Sequence, residues 1–464
     1  MIAISTTACQ PQATEPQSRI IKTETPARPA GQEDVIQLAV DPIPVVRVGF
    51  IGLGMRGPGA VSRMLQIPGV EVVALCDLEE SRVKNMNRVI EKAGKPKAQE
   101  FYGDTAIWRE LTALENLDLV YIATPWDTHA VMAKQAMVDG KHTAIEVPAA
   151  MSMEEIWDLI NTSEQTRKHC MMLENCVYDF FELTTLNMAQ QGVFGEILHT
   201  EGAYIHNLEQ FWSAYHNDWR LEYNINNLGD VYPTHGIGPA CQALDMHRGD
   251  KMNYLVSMQT KSVSIPAFIE KTQGRDVSEN FANGDHTLTL IKTEKGKTIN
   301  IQHNVATPRP YSRMYQLTGT SGFANKYPYE GYALTAENID KEVLNNNGNG
   351  KKNHEDLSGH SFVSNELKTK LMEQYKHRIH RELEETAKKV GGHGGMDYIM
   401  DYRLIYCLQN GLPLDMDVYD LAEWCCLVPL TAVSISNDSA PVEIPDFTRG
   451  GWEKVKGYRH AFAD

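Results

Sequence analysis

Cysteine is scarce: the 464 residues hold eight, none in a C-x-x-C pair and none in a Cys/His cluster with zinc spacing. A disulfide scaffold and a metal site are therefore not expected, and most of the cysteines read as small buried apolar residues. Positive charge is short as well. Lys plus Arg total 44 against 60 Asp plus Glu, a net charge of −16. Such a surface disfavours phosphate backbones and anionic lipid, so nucleic acid is not expected as a partner. No apolar run reaches the roughly 18 residues that a membrane-spanning helix needs. What is present, 42% hydrophobic and 22% charged residues, suits packed cores, and the length suits two domains.

Residues 1–43 show no apolar period. Gln10 to Asp41 is rich in Pro, Thr, Gln, Glu and Ala and reads as a flexible tether. The small residues leading into Cys9 resemble the end of a bacterial lipoprotein signal, although the apolar part is short and lacks a basic start. A periplasmic, lipid-anchored protein attached at Cys9 and a cytoplasmic one both stay open.

From Val45 the chain becomes patterned. Val45 to Ile51 has strand composition and is followed at once by Gly52-Leu53-Gly54-Met55-Arg56-Gly57, a G-x-G-x-x-G. A helix is predicted over 59–66 and a second strand from Val70 to Leu75, ending at Asp77, twenty residues after Gly57. In this order Gly52 permits the tight turn, Gly54 lets the backbone approach a pyrophosphate, and Gly57 lets the helix pack on the strand. Asp77 can accept from a ribose 2′-OH and would repel a 2′-phosphate, which favours NAD over NADP.

Three later strands end where ligands of open α/β sheets bind. Leu117 to Pro125 delivers Trp126, Asp127, Thr128 and His129; Thr143 to Pro148 delivers Glu146 and Val147; Cys170 to Asn175 delivers Asn175 to Tyr178. His129 reads equally as a first-turn helix residue or a cofactor contact. After Asp179, alternating runs near 195–204, 254–263, 286–291 and 298–303 read as antiparallel strands. Helices are predicted from His235 to Met246 and from Ser364 to Val390, with a surface loop at Asn345 to Asn353. The expected fold is α/β plus α+β: an N-terminal Rossmann domain over 44–178, then a mixed, largely antiparallel-sheet α+β substrate domain over 179–464 whose sheet can cover the cofactor.

Histidine is the side chain best suited to acid–base work near neutral pH, and His235, in Tyr232-Pro233-Thr234-His235-Gly236, begins a helix. A structural histidine is the alternative. Tyr178 and Tyr311 can be packing groups or site groups, and His393, in Gly391-Gly392-His393-Gly394-Gly395, can be a site loop or a cap. No carboxylate pair is marked for ordinary glycoside hydrolysis.

Gly-Leu-Gly-Met-Arg-Gly, Ala-Thr-Pro-Trp-Asp-Thr-His, Ile-Glu-Val-Pro, Leu-Glu-Asn-Cys-Val-Tyr, Tyr-Pro-Thr-His-Gly-Ile-Gly-Pro, Arg-Pro-Tyr and Gly-His-Gly-Gly-Met-Asp-Tyr occur in that order from Val45 to Thr448. Together they resemble glycoside hydrolase family 109, NAD-dependent α-N-acetylgalactosaminidases on the Gfo/Idh/MocA oxidoreductase fold. The resemblance implies that Met55, Arg56, Asp77, Trp126 to His129, Glu146, Val147 and Asn175 contact NAD. It implies Tyr204, Arg220, Tyr232, Pro233, Thr234, His235 and Tyr311 as substrate contacts, with Tyr232 also near the cofactor, and Glu146, Tyr178, His235 and Tyr311 as active-site groups. Two positions depart from the broader superfamily. Val147 stands where its dehydrogenases carry the Lys of Glu-Lys-Pro, and Val231 stands where they place an Asp four residues before the site His.

The implied chemistry is oxidation of sugar C3 by tightly held, recycled NAD, loss of the C2 proton with elimination of the C1 aglycone, water addition and re-reduction, with retention. In that scheme His235 handles the C3 hydroxyl proton, Tyr178 the C2 proton, and Glu146 the leaving group or water, while Tyr311 positions substrate. The implied substrates are exo-cleaved α-N-acetylgalactosaminides such as mucin-type O-glycans or blood-group A structures, and the open sheet face invites homo-oligomers. An NAD-dependent amino-sugar dehydrogenase or epimerase and a non-catalytic NAD or sugar sensor are the alternatives.

Overall fold

Apolar runs punctuated by glycine alternate with helices through the first part of the chain. In order they are β1 (Val46–Ile51), α1 (Gly57–Met64), β2 (Val70–Asp77), α2 (Glu80–Lys92), β3 (Gln99–Tyr102), α3 (Trp108–Thr112), β4 (Leu119–Ile122), α4 (Trp126–Val138), β5 (His142–Ile145), α5 (Met153–Thr166) and β6 (Cys170–Met172). The computed structural model describes residues 20–340 and 357–463. The six strands run parallel in the order β3-β2-β1-β4-β5-β6. Every residue of β4 and β5 is buried, as central parallel strands covered by helices on both faces require. The strand order reverses between β1 and β4, which opens a crevice at their carboxyl ends.

The second sheet is built from α6 (Phe180–Gln190), β7 (Ile197–Ile205), α7 (Trp219–Asn226), α8 (Thr234–Ala243), β8 (Met252–Gln259), α9 (Ser264–Gln273), β9 (Thr287–Thr293), β10 (Thr298–Asn304), β11 (Gln316–Gly319), β12 (Gly322–Asn325) and β13 (Gly331–Leu334). After it come α10 (Asn365–Gln374), α11 (Arg378–Val390), α12 (Met396–Asn410), α13 (Val418–Cys425), α14 (Leu427–Ser436) and β14 (Val442–Glu443). Among the described residues its order is β13-β12-β11-β7-β10-β9-β8-β14, antiparallel except for the parallel β7–β10 pair. A Rossmann domain followed by a mixed, largely antiparallel sheet is thus the architecture. Helix α8 lies flush on β7, because Gly202 and Gly236 carry no side chains between them: a Cβ on Gly202 would sit 2.2 Å from the Gly236 carbonyl oxygen. That contact sets His235 beside Tyr204 on β7.

Two expectations differ in the structure. The tether is docked over its described part: Val35 and Leu38 are buried, Ile21 bridges to Val442, and Arg28 pairs with the buried Glu164 of α5. Three apolar residues at irregular intervals, with one ion pair, are enough to anchor a segment that has no periodicity. Cys9 and the rest of residues 1–19 lie outside the described residues, as does the 345–353 loop. The helix predicted over 364–390 is two helices. His377 breaks it by accepting from the Ile379 amide at 3.1 Å, an N-cap within the run. Helix α12 packs on α1 and β1, and α13 on α5 and β6, so the C-terminal helices return to the first domain. Among the described residues one helical stretch, Val418–Ser436, is long and apolar enough to cross a membrane by length and composition, and it is 78% buried within the fold.

Candidate active site

The carboxyl ends of β1, β2, β4 and β5 open on a cleft of about 610 Å³. Gly52, with φ +94°, turns the chain at the end of β1, and a Cβ there would lie 2.5 Å from the Ala123 carbonyl oxygen. A Cβ on Gly57 would lie 2.0 Å from the Gly52 carbonyl oxygen, whereas one on Gly54 would meet only Arg82 Nη1, at 3.8 Å, on the cleft side. The loop therefore presses its backbone into the cleft immediately before the amino end of α1, the arrangement that receives a pyrophosphate. Asp77 lines the same cleft at the end of β2. Its Oδ2 accepts from the Leu53 amide at 2.7 Å, and its Oδ1 from the Glu79 amide at 2.9 Å and Arg82 Nη1 at 3.3 Å. These residues fit a dinucleotide with its ribose at Asp77.

Met55, Arg56, Trp126, Asp127, Thr128, His129, Glu146, Val147 and Tyr232 line the cleft too. His129 is buried, with Nδ1 2.8 Å from the Pro148 carbonyl and Nε2 2.7 Å from that of Thr124, so it ties the β4 and β5 exits together; burial pulls its pKa down. Trp126 Nε1 donates to the Val147 carbonyl at 3.2 Å. Arg56 bridges two carboxylates, Glu146 at 3.0 Å and Asp397 at 3.4 Å, and Glu146 foremost drives its pKa up. Asp397 also accepts from Asn175 Nδ2 at 2.5 Å and holds His393 Nδ1 at 2.9 Å. Burial raises the Asp397 pKa, but His393, Arg56 and Arg63 together bring it below the usual carboxylate range.

Next to Tyr232, outside the cleft lining, stands His235, whose Nδ1 sits 2.7 and 2.9 Å from the two oxygens of Glu174, a fully buried residue at the exit of β6. Burial raises the Glu174 pKa, and the charge and hydrogen bond of His235 more than reverse this, leaving it lowered. The carboxylate accepts Nδ1–H, so in the neutral imidazole the lone pair is on Nε2. Nε2 is turned toward the Tyr232 hydroxyl, 3.4 Å away. Val231 is buried, and the Asp230 carboxylate beside it accepts from the Tyr232 amide at 3.0 Å; burial pushes Asp230 up to about 7. The imidazole is thus held from β6 rather than from its own loop. Pro233 forms the N-cap of α8, and Thr234 and His235 open the helix. Tyr204 lies with its ring 4.6 Å from Tyr232 and 5.5 Å from His235. Arg220 is buried over the Tyr232 ring at 4.4 Å and donates from Nη1 to the Tyr215 hydroxyl at 2.7 Å.

Tyr311 stands at the rim, 42% exposed, edge-on to His206 at 5.1 Å. Tyr178 is not part of this constellation, which corrects its assignment as the C2 base. It is fully buried, and its hydroxyl donates to Asp415 at 3.1 Å. Burial and that carboxylate push its pKa well above the phenol range, so it cannot serve as a base. Replacing Tyr178 with Phe should leave kcat/KM unchanged and lower unfolding free energy by about 2 kcal/mol, the worth of a hydrogen bond to a charged group. Steady-state kinetics and denaturant melts check both halves. The sequence reading missed Glu174 and Asp397 as site groups. The only sequence signal for Glu174 is its place at a strand exit, one residue before Asn175.

Comparison with known proteins agrees with this geometry. Residues 46–174 match the oxidoreductase family, NAD-binding Rossmann fold, and residues 178–454 match the glycosyl hydrolase 109 C-terminal domain. Among curated relatives, glycosyl hydrolase family 109 protein 1 of Bacteroides thetaiotaomicron is 63% identical, covering 100% of this chain and 98% of its own. A glycosyl hydrolase family 109 protein of Porphyromonas gingivalis is 64% identical over 96% of this chain and 93% of its own. Among solved structures, a levoglucosan dehydrogenase complexed with NADH superposes with TM-score 0.60 at 17% identity, covering 86% of this chain and 99% of that one. The scyllo-inositol dehydrogenase of Lactobacillus casei, with NAD(H) and scyllo-inositol bound, gives 0.58 at 12% identity over 86% and 99%. These two share the fold. The chain has an NAD-binding Rossmann domain and belongs to glycosyl hydrolase family 109.

Proposed function

We propose that this glycosidase releases terminal α-linked N-acetylgalactosamine, as on mucin-type O-glycans or blood-group A structures, by oxidation at C3, elimination across C1–C2, water addition and re-reduction, with retention. The dinucleotide, when bound, supplies a hydride acceptor and donor for C3 and stays bound through turnover, so no net redox results. Gly52, Gly54, Gly57 and Asp77 hold it, and Tyr232 lies between it and the sugar side. His235 Nε2 takes the C3 hydroxyl proton, and Glu174 stabilises the imidazolium that forms. A C3 carbonyl delocalises the charge left when the C2 proton passes to the Glu146 carboxylate, which is what makes the anomeric bond breakable; Glu146 then gives a proton to the departing aglycone. Glu146, held by Arg56, and His393, held by Asp397 on a glycine-rich loop, exchange protons with the aglycone and the entering water. Tyr204, Arg220 and Tyr311 position the sugar.

The observation that carries this reading is an imidazole fixed in one tautomer by Glu174 and turned toward a tyrosine of the dinucleotide cleft. Turnover of an aryl α-N-acetylgalactosaminide in D₂O tests it. The released sugar should carry deuterium at C2, with no build-up of reduced nicotinamide; sugar free of C2 deuterium would overturn the elimination.

A further inference from the structure

A dinucleotide that stays bound through turnover, as proposed above, needs something to keep it in a cleft that is otherwise an open trough at the strand ends. The second domain supplies a roof. All of the cleft lining from beyond residue 178 comes from the segment between Ala214 and Arg220, together with Tyr232. Asn217 and Asp218, with φ of 52° and 51°, make the turn that folds this segment back into α7; Asn and Asp are the non-glycine residues that tolerate the left-handed region best.

What holds the roof down is a set of rings closing on one indole of the Rossmann domain. Trp126 meets Trp219 edge-on at 5.0 Å and Tyr223 edge-on at 5.2 Å, and it stacks on Tyr232 at 5.6 Å. The Arg220 guanidinium lies 5.0 Å from the Trp126 ring centroid. Trp219 in turn packs on Tyr215 at 5.4 Å. Among the described residues no ion pair joins the segment between Trp212 and Asn226 to the first domain. The closure is therefore aromatic, contacts of short range that break together when the segment lifts.

We propose that Trp219 and Trp126 form a latch that closes the Ala214–Arg220 segment over the dinucleotide and sets its rate of dissociation. Trp219 is a positioning residue: it acts through the segment it anchors. The latch explains why a cleft lined by two domains can release sugar and aglycone past the Tyr311 rim while keeping the dinucleotide behind the roof.

Exchange of the bound cofactor tests it. Holoenzyme of the unchanged chain, Trp219→Ala and Trp219→Phe is mixed with excess radiolabelled NAD, and label retained after gel filtration is followed in time. Trp219→Ala should take up label about ten-fold faster, having lost two ring contacts. Trp219→Phe, which keeps an edge-on ring, should exchange close to the unchanged rate. Tyr223→Leu should also exchange faster, by a smaller factor, and serves if Trp219→Ala does not fold. Slow exchange in the unchanged chain together with equally slow exchange in Trp219→Ala and Tyr223→Leu would overturn the latch alone. Exchange complete within mixing in the unchanged chain would overturn retention of the dinucleotide, and the latch with it.

Discussion

Replacing His235 with Gln should lower kcat/KM on an aryl α-N-acetylgalactosaminide by about a thousand-fold, within the range that a positioned acid–base group contributes. Dinucleotide content, read by chromatography after denaturation, should stay unchanged, because His235 is not among the residues that line the cleft. Proton occupancy at Nε2 decides the outcome. Glu174 binds Nδ1–H through both oxygens, so the other nitrogen is the free acceptor. Glutamine fills similar space but takes no proton. Glu174→Gln should be nearly as damaging although the imidazole remains. An amide can donate to Nδ1, which favours the tautomer with its proton on Nε2 and removes the acceptor. A His235→Gln enzyme within ten-fold of the unchanged rate would remove His235 from the reaction.

The dinucleotide half of this site was legible because its parts are neighbours in the chain. Strand, three glycines, helix, strand and Asp77 lie within about thirty residues, and local geometry makes each depend on the next. The proposed catalytic half is assembled across the fold. Glu174 reaches His235 over a sequence separation of 61, and Asp397 reaches Asn175 over 222. No spacing rule exposes such pairs. Tyr178 shows the opposite failure, adjacency without proximity. It follows Asn175 by three residues, but the 3₁₀ turn Asn175–Tyr178 directs Asn175 to Asp397, in the first turn of α12, and Tyr178 to Asp415, beyond that helix's end. The docked N-terminal segment was unreadable for a related reason: its anchors, Ile21, Val35 and Leu38, find partners only once α5, α13 and β14 exist to receive them.

Gly57→Ala and Gly54→Ala should both strip the protein of its dinucleotide, for different reasons that melting separates. At Gly57 the added methyl would stand 2.0 Å from the Gly52 carbonyl oxygen and 3.0 Å from its carbon, both backbone atoms of the turn that makes the cradle. Neither can swing aside as a side chain would, so α1 must shift away from β1 and the cradle opens. Overpacking of this kind costs up to about 3 kcal/mol, which lowers the melting temperature and weakens dinucleotide binding by about a hundred-fold. At Gly54 the methyl has Arg82 Nη1 as its nearest neighbour, at 3.8 Å, and otherwise projects into the cleft. That variant should melt with the unchanged chain when both are dinucleotide-free, yet bind NAD at least as poorly as Gly57→Ala, because the methyl occupies the space the pyrophosphate enters. Calorimetric melts of the stripped proteins and titration with NAD measure the two effects apart. Undiminished affinity in Gly54→Ala would place the phosphates elsewhere in the cleft.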